Sequence, residues 1–168
     1  MNITTIVDRA KNSSFYLWLL NYGLGNMIPF NKPHGLRVVK IEDWSITTVL
    51  PYKRRNLNHI NGLHACALAT ISEFTTGLLL IIKLDPQKYR LILKRLEVDY
   101  HYQGKMKAFG KFEISQQWMD QNVISPLSLS DSVVVPCAVS IRDEKGNQLT
   151  TATVHWQIKL WQNVKTRT

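Results

Sequence analysis

The chain has 168 residues, 45% of them apolar and 20% charged, which is ordinary for a globular domain and excludes a fibrous or low-complexity protein. This length suits one domain with a substantial core. The formal net charge of +9 favours an anionic partner, which could be nucleic acid, anionic lipid or a phosphate-rich ligand. The charge does not choose among them, but we expect no nucleic-acid partner, because Lys53-Arg54-Arg55 is the one dense cationic run.

The two cysteines, Cys66 and Cys137, lie in apolar surroundings and are expected to be reduced thiols of a cytoplasmic protein. No paired Cys/His spacing is present, so we expect no metal site. The apolar run 15–20 is shorter than a typical signal core, and no small-residue cleavage site follows it. A secretory signal is therefore not expected.

Residues 1–30 are predicted to form a helical extension, and residues 31–168 the main domain. Apolar residues of the extension recur at spacings of three and four until Gly23 and Gly25, where we expect the helix to end. These residues are Ile3, Ile6, Val7, Ala10, Leu17, Leu20 and Leu24.

The segments 36–41 and 44–50 are typical of a strand pair, and the polar residues 56–62 are typical of a loop. The apolar segment 63–82 that follows is nearly long enough to cross a bilayer. It holds His64, Ser72 and Glu73, however, and it precedes sequence with a strand period. We therefore predict a central helix that is buried by protein.

Four later segments alternate with the two-residue period of half-buried strands. Their predicted inward residues are Ile92, Leu96, Val98, Tyr100 and Tyr102; Met106, Ala108, Gly110, Phe112 and Ile114; Val133, Val135, Cys137, Val139 and Ile141; and Ala152, Val154, Trp156, Ile158 and Leu160. Gln103-Gly104 and residues 143–147 suit hairpin turns, and 116–131 suits a loop. The predicted fold is α+β, with one antiparallel sheet wrapped around one long central helix that a second subunit also covers.

Glu73 is the candidate functional residue, because it is the one carboxylate in an otherwise apolar helix. A buried ionised carboxylate is costly unless something compensates it. One interpretation is an ion pair with Arg54 or Arg55 that fixes a dimer. The other is a chemical role.

The chain resembles the hotdog-fold acyl-CoA thioesterases, in particular their phenylacetate-pathway-like branch. The family pattern is an Asn, five residues, a His followed by two glycines, and an acid nine positions after the His. Asn58, His64 and Glu73 fit this spacing, and the resemblance extends over about residues 36–160. The departure is Ala65-Cys66 in place of the two glycines, which keeps the amides but narrows the space above them.

The resemblance implies that Glu73 is a general base or nucleophile towards a thioester carbonyl and that Asn58 positions water or substrate. It also implies that Gly62, His64 and the amide of Ala65 bind substrate and the oxyanion. If His64 and Glu73 lie on one helix, nine residues place them about 13 Å apart on opposite faces. We therefore expect a homodimer, or a dimer of dimers, in which the loop of one subunit meets the helix acid of the other.

Alternatives remain open at this point. Asn58 could close a turn, and His64 could hold the start of the helix. Lys105, Lys107 and Lys111 could be a solvated strand face or a platform for the phosphates of coenzyme A. The protein as a whole could be a thioesterase without any cofactor of its own, a non-catalytic acyl-CoA or lipid-binding protein, or a dehydratase.

Overall fold

The computed structural model describes residues 3–164, and the expectations for residues 1–2 and 165–168 lie outside it. The described chain forms five α-helices and six strands. They are α1 (Ile3–Ala10), α2 (Ser14–Met27), β1 (Arg37–Ile41), β2 (Ser45–Leu50), α3 (Ala65–Lys83), β3 (Tyr89–Tyr100), β4 (Ala108–Glu113), α4 (Gln116–Met119), α5 (Ser125–Leu129), β5 (Ser132–Asp143) and β6 (Gln148–Leu160). Short 3-10 turns cover Arg54–Asn56 and Trp161–Asn163, and a π-helical turn, Asp120–Ile124, joins α4 to α5.

The six strands form one antiparallel sheet in the order β1-β2-β4-β5-β6-β3, and α3 packs across it. Ile71, Leu79 and Leu80 of the helix are fully buried. Helix α3 is long and apolar enough to cross a membrane, but 61% of its most apolar window is buried inside the protein. The predicted α+β architecture, with one sheet around a central helix, is confirmed.

One of the two predicted hairpins is correct. The turn 143–147 joins β5 to β6, with Gly146 at a φ of 83° and the Asp143 carboxylate accepting the N–H groups of Lys145 and Asn147. The predicted β3–β4 hairpin is wrong, because β3 pairs with β6 at one end of the sheet while β4 lies between β2 and β5. The connecting residues cross to the start of α3, where the Leu63 N–H donates to the Gly104 carbonyl at 2.7 Å.

A β-bulge at Lys94 changes which residues of β3 face α3. The register shifts between Leu93 and Arg95, so Leu93 lies opposite Trp156 and Leu96 lies opposite Val154. A bulge adds one residue to one strand and so reverses the alternation beyond it. The prediction that Ile92 shares the inner face with Leu96 is therefore wrong, and Ile92 is exposed on the outer face.

The free edges of the sheet differ in how they are protected. On β1, the side-chain amide of Asn21 accepts from the Val38 N–H at 2.7 Å and donates to the Val38 carbonyl at 2.9 Å. On β5, residues before Ser140 have no partner on β4, and Pro136 removes a donor there. Strand β3 has 12 residues and no partner on its outer side within residues 3–164. Edge strands of this kind recruit further strands unless they are blocked.

The N-terminal extension and the connection between β4 and β5 contain more helix than predicted. The extension is two helices, and α2 continues through Gly23 and Gly25 to Met27. Leu20 and Leu24 bury one side of α2 against the core. The predicted loop 116–131 is largely helical: the Ser115 hydroxyl accepts from the Trp118 N–H at 3.0 Å and caps α4, and Pro126 lies in the first turn of α5.

Candidate functional site

His64 is the N-cap of α3. Its Nδ1 accepts from the Cys66 N–H at 3.1 Å, and its own N–H donates to the Asn56 carbonyl at 2.8 Å. Its carbonyl accepts from the N–H groups of Ala67 and Leu68. These contacts fix where the helix begins, so the geometry gives His64 a structural part in the site.

Asn58 closes the loop that leads into the helix. Its Oδ1 accepts from the N–H groups of Ile60 at 3.1 Å and Gly62 at 2.9 Å, and its N–H donates to the Gly62 carbonyl. Asn61 has a φ of 58°, which lies in the left-handed region, and so short a loop requires this backbone conformation. The Oδ1 of Asn58 is thus occupied by the backbone, while its Nδ2 donates to no residue in 3–164 and is free for another ligand.

Gly62 is close to the segment that follows β3. A Cβ at this position would lie 2.8 Å from the Cγ and 2.9 Å from the Nε2 of Gln103. Any larger residue would displace either the loop or the Gln103 side chain. In this structure, Gly62 therefore allows the two segments to meet.

Where these two segments meet the helix, they form a cleft of about 340 Å³. It is lined by residues from the loop, from the start of α3 and from the end of β3, including Asn58, Leu63, Ala65, Leu68, Tyr100 and Gly104. Ala65 occupies the first position of the helix, where a backbone N–H has no intrahelical acceptor. The helix dipole adds a partial positive charge at this end. The cleft therefore offers the Ala65 N–H to a developing negative charge, since the neighbouring N–H groups of His64, Cys66 and Ala67 already donate within the chain.

Tyr100 also lines the cleft, and its place on an alternating strand predicted an inward residue, either in the core or along an acyl channel. Its hydroxyl donates to the Ala65 carbonyl at 3.1 Å, and its side chain is 50% exposed. Burial of the hydroxyl raises the pKa of Tyr100 above its usual value of 10.0. The phenol stays protonated at neutral pH and ties the end of β3 to the first turn of α3.

Glu73 lies two turns into α3 and is half-buried. Within residues 3–164 it forms no ion pair, so the expected pairing with Arg54 or Arg55 is not seen there. Burial raises the pKa of the Glu73 carboxyl above its usual 4.5, and no neighbouring charge opposes this shift. A carboxyl in this state holds its proton more tightly than an exposed one and is a stronger base once ionised.

Glu73 faces the end of the sheet that carries the free edge. Thr76 and Gly77, one turn further along α3, contact Trp156 of β6: the Trp156 Nε1 donates to the Thr76 Oγ1 at 3.0 Å. Residues three and four apart share a helix face, so Glu73 turns towards β6 and the edge strand β3. On that strand Leu93 faces inward but remains 39% exposed.

The structure therefore brings Asn58, Gly62 and Ala65 together with His64 at one end of α3, and Glu73 does not line their cleft. Two larger cavities exist elsewhere, and neither is lined by Asn58, Gly62, His64, Ala65 or Glu73, although Lys111 lines the larger one. One, of about 760 Å³, lies on the outer face of the sheet, and the other, of about 560 Å³, lies between α1, α2 and the end of α3. Within residues 3–164 no three His, Cys, Asp or Glu side chains converge on a metal-sized space.

A family model described as a domain of unknown function (DUF4442) matches residues 17–158 of the chain. No curated protein matches the chain. Several solved structures are similar in fold. A probable thioesterase from Pseudomonas aeruginosa has a TM-score of 0.77 and 20% sequence identity, over 85% of this chain and 95% of that one.

Two further structures extend the comparison. A thioesterase from Haemophilus influenzae has a TM-score of 0.67 and 12% identity, over 90% of this chain and 95% of that one. A protein of unknown function from Chlorobaculum tepidum has a TM-score of 0.73 and 8% identity, over 92% of this chain and 94% of that one. At these identities the likeness establishes the fold, and the predicted hotdog fold is confirmed.

Proposed function

This chain belongs to the DUF4442 family, and on that premise we propose that it is a thioesterase that hydrolyses an acyl-CoA thioester at composite sites of a homodimer. Fold neighbours described as thioesterases support the reaction class. The observation that carries the proposal is Glu73, a half-buried carboxylate that forms no ion pair within residues 3–164 and shares a helix face with Thr76 and Gly77, which contact β6. The resemblance to the phenylacetate-pathway-like branch does not narrow the proposed substrate beyond an acyl-CoA thioester.

The chemistry needs a base and a donor for the oxyanion. Glu73 takes a proton from water, the resulting hydroxide adds to the thioester carbon, and the Ala65 N–H stabilises the oxyanion. The C–S bond then breaks, and the thiol leaves with the proton that Glu73 returns. Asn58, through the Nδ2 that donates to no residue of 3–164, holds the water or the carbonyl in place. No cofactor takes part, and coenzyme A enters as part of the substrate.

A second subunit brings the two halves of the site together. Within one chain, the cleft at Ala65 and the carboxylate of Glu73 are about two turns of helix apart, or roughly 12 Å. Strand β3 offers the unblocked edge for a twofold copy, whereas Asn21 occupies the β1 edge and Pro136 removes a donor from β5. Pairing of two β3 strands would also cover Leu93 and place each Glu73 beside the partner.

The test of the reaction uses a panel of acyl-CoA thioesters with the wild-type protein and Glu73→Gln. We expect hydrolysis by the wild type and a loss of about 10²-fold or more in kcat for the variant. Glu144→Gln, a change of the same chemistry in the β5–β6 turn, serves as the matched control and should retain activity. Turnover that is equal in wild type and Glu73→Gln would refute the assigned role.

The composite site has its own test, in which inactive Glu73→Ala and Asn58→Ala proteins are mixed and allowed to exchange subunits. Half of the dimers then contain both variants, and each of these has one intact site, so activity should recover to about a quarter of the wild-type value. Two sites that each lie within one chain would give no recovery.

The second candidate function is an acyl-CoA-binding or lipid-binding protein without turnover. Ala65 and Cys66 favour it, since their Cβ atoms occupy space that glycines would leave open above the first turn of α3. It predicts that calorimetry detects binding of an intact acyl-CoA and that the recovered ligand is unhydrolysed.

A further inference from the structure

Four cationic residues lie on two chain segments that meet next to the Asn58 loop. Arg37 opens β1, and Lys53, Arg54 and Arg55 lie at the 3-10 turn that follows β2. We refer to these four residues as the basic cluster. None of them forms an ion pair with another residue of 3–164.

The cluster differs in this respect from two of the three lysines of the predicted strand face, Lys107 and Lys111. Lys107 pairs with Glu144 at 2.9 Å, and Lys111 pairs with Glu113 at 2.7 Å. Their charges are already neutralised within the chain. A platform for an anion is therefore better sought in the basic cluster than on the strand face that the sequence suggested.

Contacts between two chain segments hold the cluster together. The Lys53 side chain lies against Gly35, where a Cβ would be 2.5 Å from the Lys53 Nζ. Gly35 has a φ of 67°, a conformation that favours glycine. Both the backbone conformation and the contact with Lys53 therefore favour glycine at this position. Partial burial lowers the pKa of Lys53, and the charges of Arg55 and Arg37 lower it further. Lys53 is thus close enough to Arg37 and Arg55 to be repelled by both, and no acid within residues 3–164 forms an ion pair with any of them.

Asn56 fixes the position of the cluster relative to α3. It is fully buried, its Nδ2 donates to the carbonyls of Pro51 and His34, and its Oδ1 lies 2.9 Å from the His34 Nδ1. Its carbonyl accepts from the His64 N–H at the helix start. One residue therefore connects the segment before β1, the turn 54–56 and the N-cap of α3.

The cluster is also next to the Asn58 loop. The hydroxyl of Tyr52, which directly precedes Lys53, donates to the Asn61 carbonyl at 2.6 Å. Arg54 lies four residues before Asn58 in the chain, and the Leu57 N–H donates to its carbonyl. A ligand bound at the cluster could thus extend over the loop into the cleft at Ala65.

We propose that Arg37, Lys53, Arg54 and Arg55 form a phosphate-binding site for the phosphorylated nucleotide end of a coenzyme A thioester, which would direct the thioester towards the cleft. The identity of the ligand rests on the proposed function. Guanidinium groups match phosphate oxygens as bidentate donors, and three of the four cations are arginines. An acidic carrier protein is the competing source of negative charge.

The experiment measures binding of adenosine 3′,5′-bisphosphate by calorimetry, because this probe has phosphates but no thioester. We expect binding by the wild type and at least a tenfold weaker Kd for the double variant Arg54→Ala/Arg55→Ala. Lys88→Ala/Lys145→Ala, which removes the same charge elsewhere, should change Kd less than twofold. All four substituted residues are exposed, and circular dichroism checks that each variant is folded.

The outcomes separate this inference from the proposed function. Bisphosphate binding that depends on the cluster, in a protein without hydrolytic activity, would support the site and overturn the reaction. No binding of the bisphosphate, equal weakening by both double variants, or an effect of the cluster only on binding of an acidic acyl-carrier protein would overturn the site. Hydrolysis with a KM for acyl-CoA that is unchanged in Arg54→Ala/Arg55→Ala would overturn it as well.

Discussion

The indole ring of Trp156 occupies the space where a side chain at Gly77 would lie. A Cβ on Gly77 would be 2.5 Å from the Trp156 Cζ2 and 2.8 Å from its Cη2. The ring is nearly completely buried, and its Nε1 is fixed to Thr76 of the same helix turn. The glycine therefore allows α3 to approach β6 closely just beyond Glu73.

Gly77→Ala is expected to lower the free energy of unfolding by about 1–3 kcal/mol, because overpacking moves a ring that has little room to shift. Denaturant unfolding monitored by tryptophan fluorescence measures this change. Gly23→Ala in α2 is the matched control. No atom lies within 4 Å of its added Cβ, so it should stabilise the protein by about 0.5–1 kcal/mol. A stabilised Gly77→Ala protein would show that the ring yields easily.

The buried threonines Thr150 and Thr75 are predicted to respond in opposite ways to replacement by valine. The Thr150 hydroxyl has no hydrogen-bond partner within residues 3–164, so Thr150→Val should leave stability unchanged or raise it by up to about 1 kcal/mol. The Thr75 hydroxyl donates to the Ile71 carbonyl at 2.6 Å and lies 2.5 Å from that of Thr48. Thr75→Val should cost about 1–3 kcal/mol, since Thr48 is left unpaired.

Thermal unfolding of both valine variants beside wild type provides the measurement. Because both positions are fully buried, differences in exposure do not enter the comparison. A Thr150→Val protein that loses as much stability as Thr75→Val would mean that the Thr150 hydroxyl has a partner after all.

Glu73→Gln is predicted to stabilise the protein at neutral pH. The folded-state pKa of Glu73 is raised by burial, so the folded state binds the proton more tightly than the unfolded chain does. That contribution is fully present below the unfolded value of 4.5 and is lost as pH rises through the folded pKa. A glutamine side chain contributes no such pH dependence. The free energy of unfolding of the variant should therefore exceed that of wild type at about pH 7.5, and this difference should narrow towards pH 4.5.

Urea unfolding across this pH range makes the comparison. Glu144→Gln, at an exposed glutamate, is the control, and its difference in stability from wild type should not show the same pH dependence. If Glu73→Gln were instead less stable than wild type at every pH, a partner for the carboxylate would have to exist in the assembled protein.

Asn56→Ala is expected to cost about 2–4 kcal/mol, because it leaves the carbonyls of Pro51 and His34 without a donor in the interior. Asn26→Ala removes an exposed amide that donates to the Tyr22 carbonyl at 3.1 Å, and it should change stability by no more than about 0.5 kcal/mol. Calorimetric melting temperatures of the two variants test this difference. Similar values for both would deny Asn56 its part in connecting the three segments.

The sequence predicted most of the strands but not all of their partners. Alternation along β4, β5 and β6 identified inward residues such as Phe112, Val135 and Trp156 correctly, since burial on one face imposes a period of two. It carries no information about which strand is adjacent. Gln103-Gly104 suits a tight turn locally, yet Gly104 is buried against Leu63 and Leu149 in a crossing that only the tertiary structure determines.

The same limit applies to the candidate site. The polar residues 56–62 predicted the loop, and the apolar segment 63–82 predicted the central helix and the burial of Glu73, because these follow from local composition. The bulge at Lys94 and the contact from Tyr100 to Ala65 depend on pairing between distant strands. The unpaired state of the basic cluster was equally invisible, since a list of charges does not show which of them meet.

Cys66 has a practical consequence for any assay of this protein. It is exposed in the first turn of α3, directly after Ala65, whereas Cys137 is buried and burial raises the pKa of its thiol to about 12. A maleimide dye should therefore label a single position, beside the cleft, and its fluorescence would report ligand entry. A colorimetric reagent that detects released thiol would consume Cys66 as well, so one equivalent per chain must be subtracted before any turnover is counted.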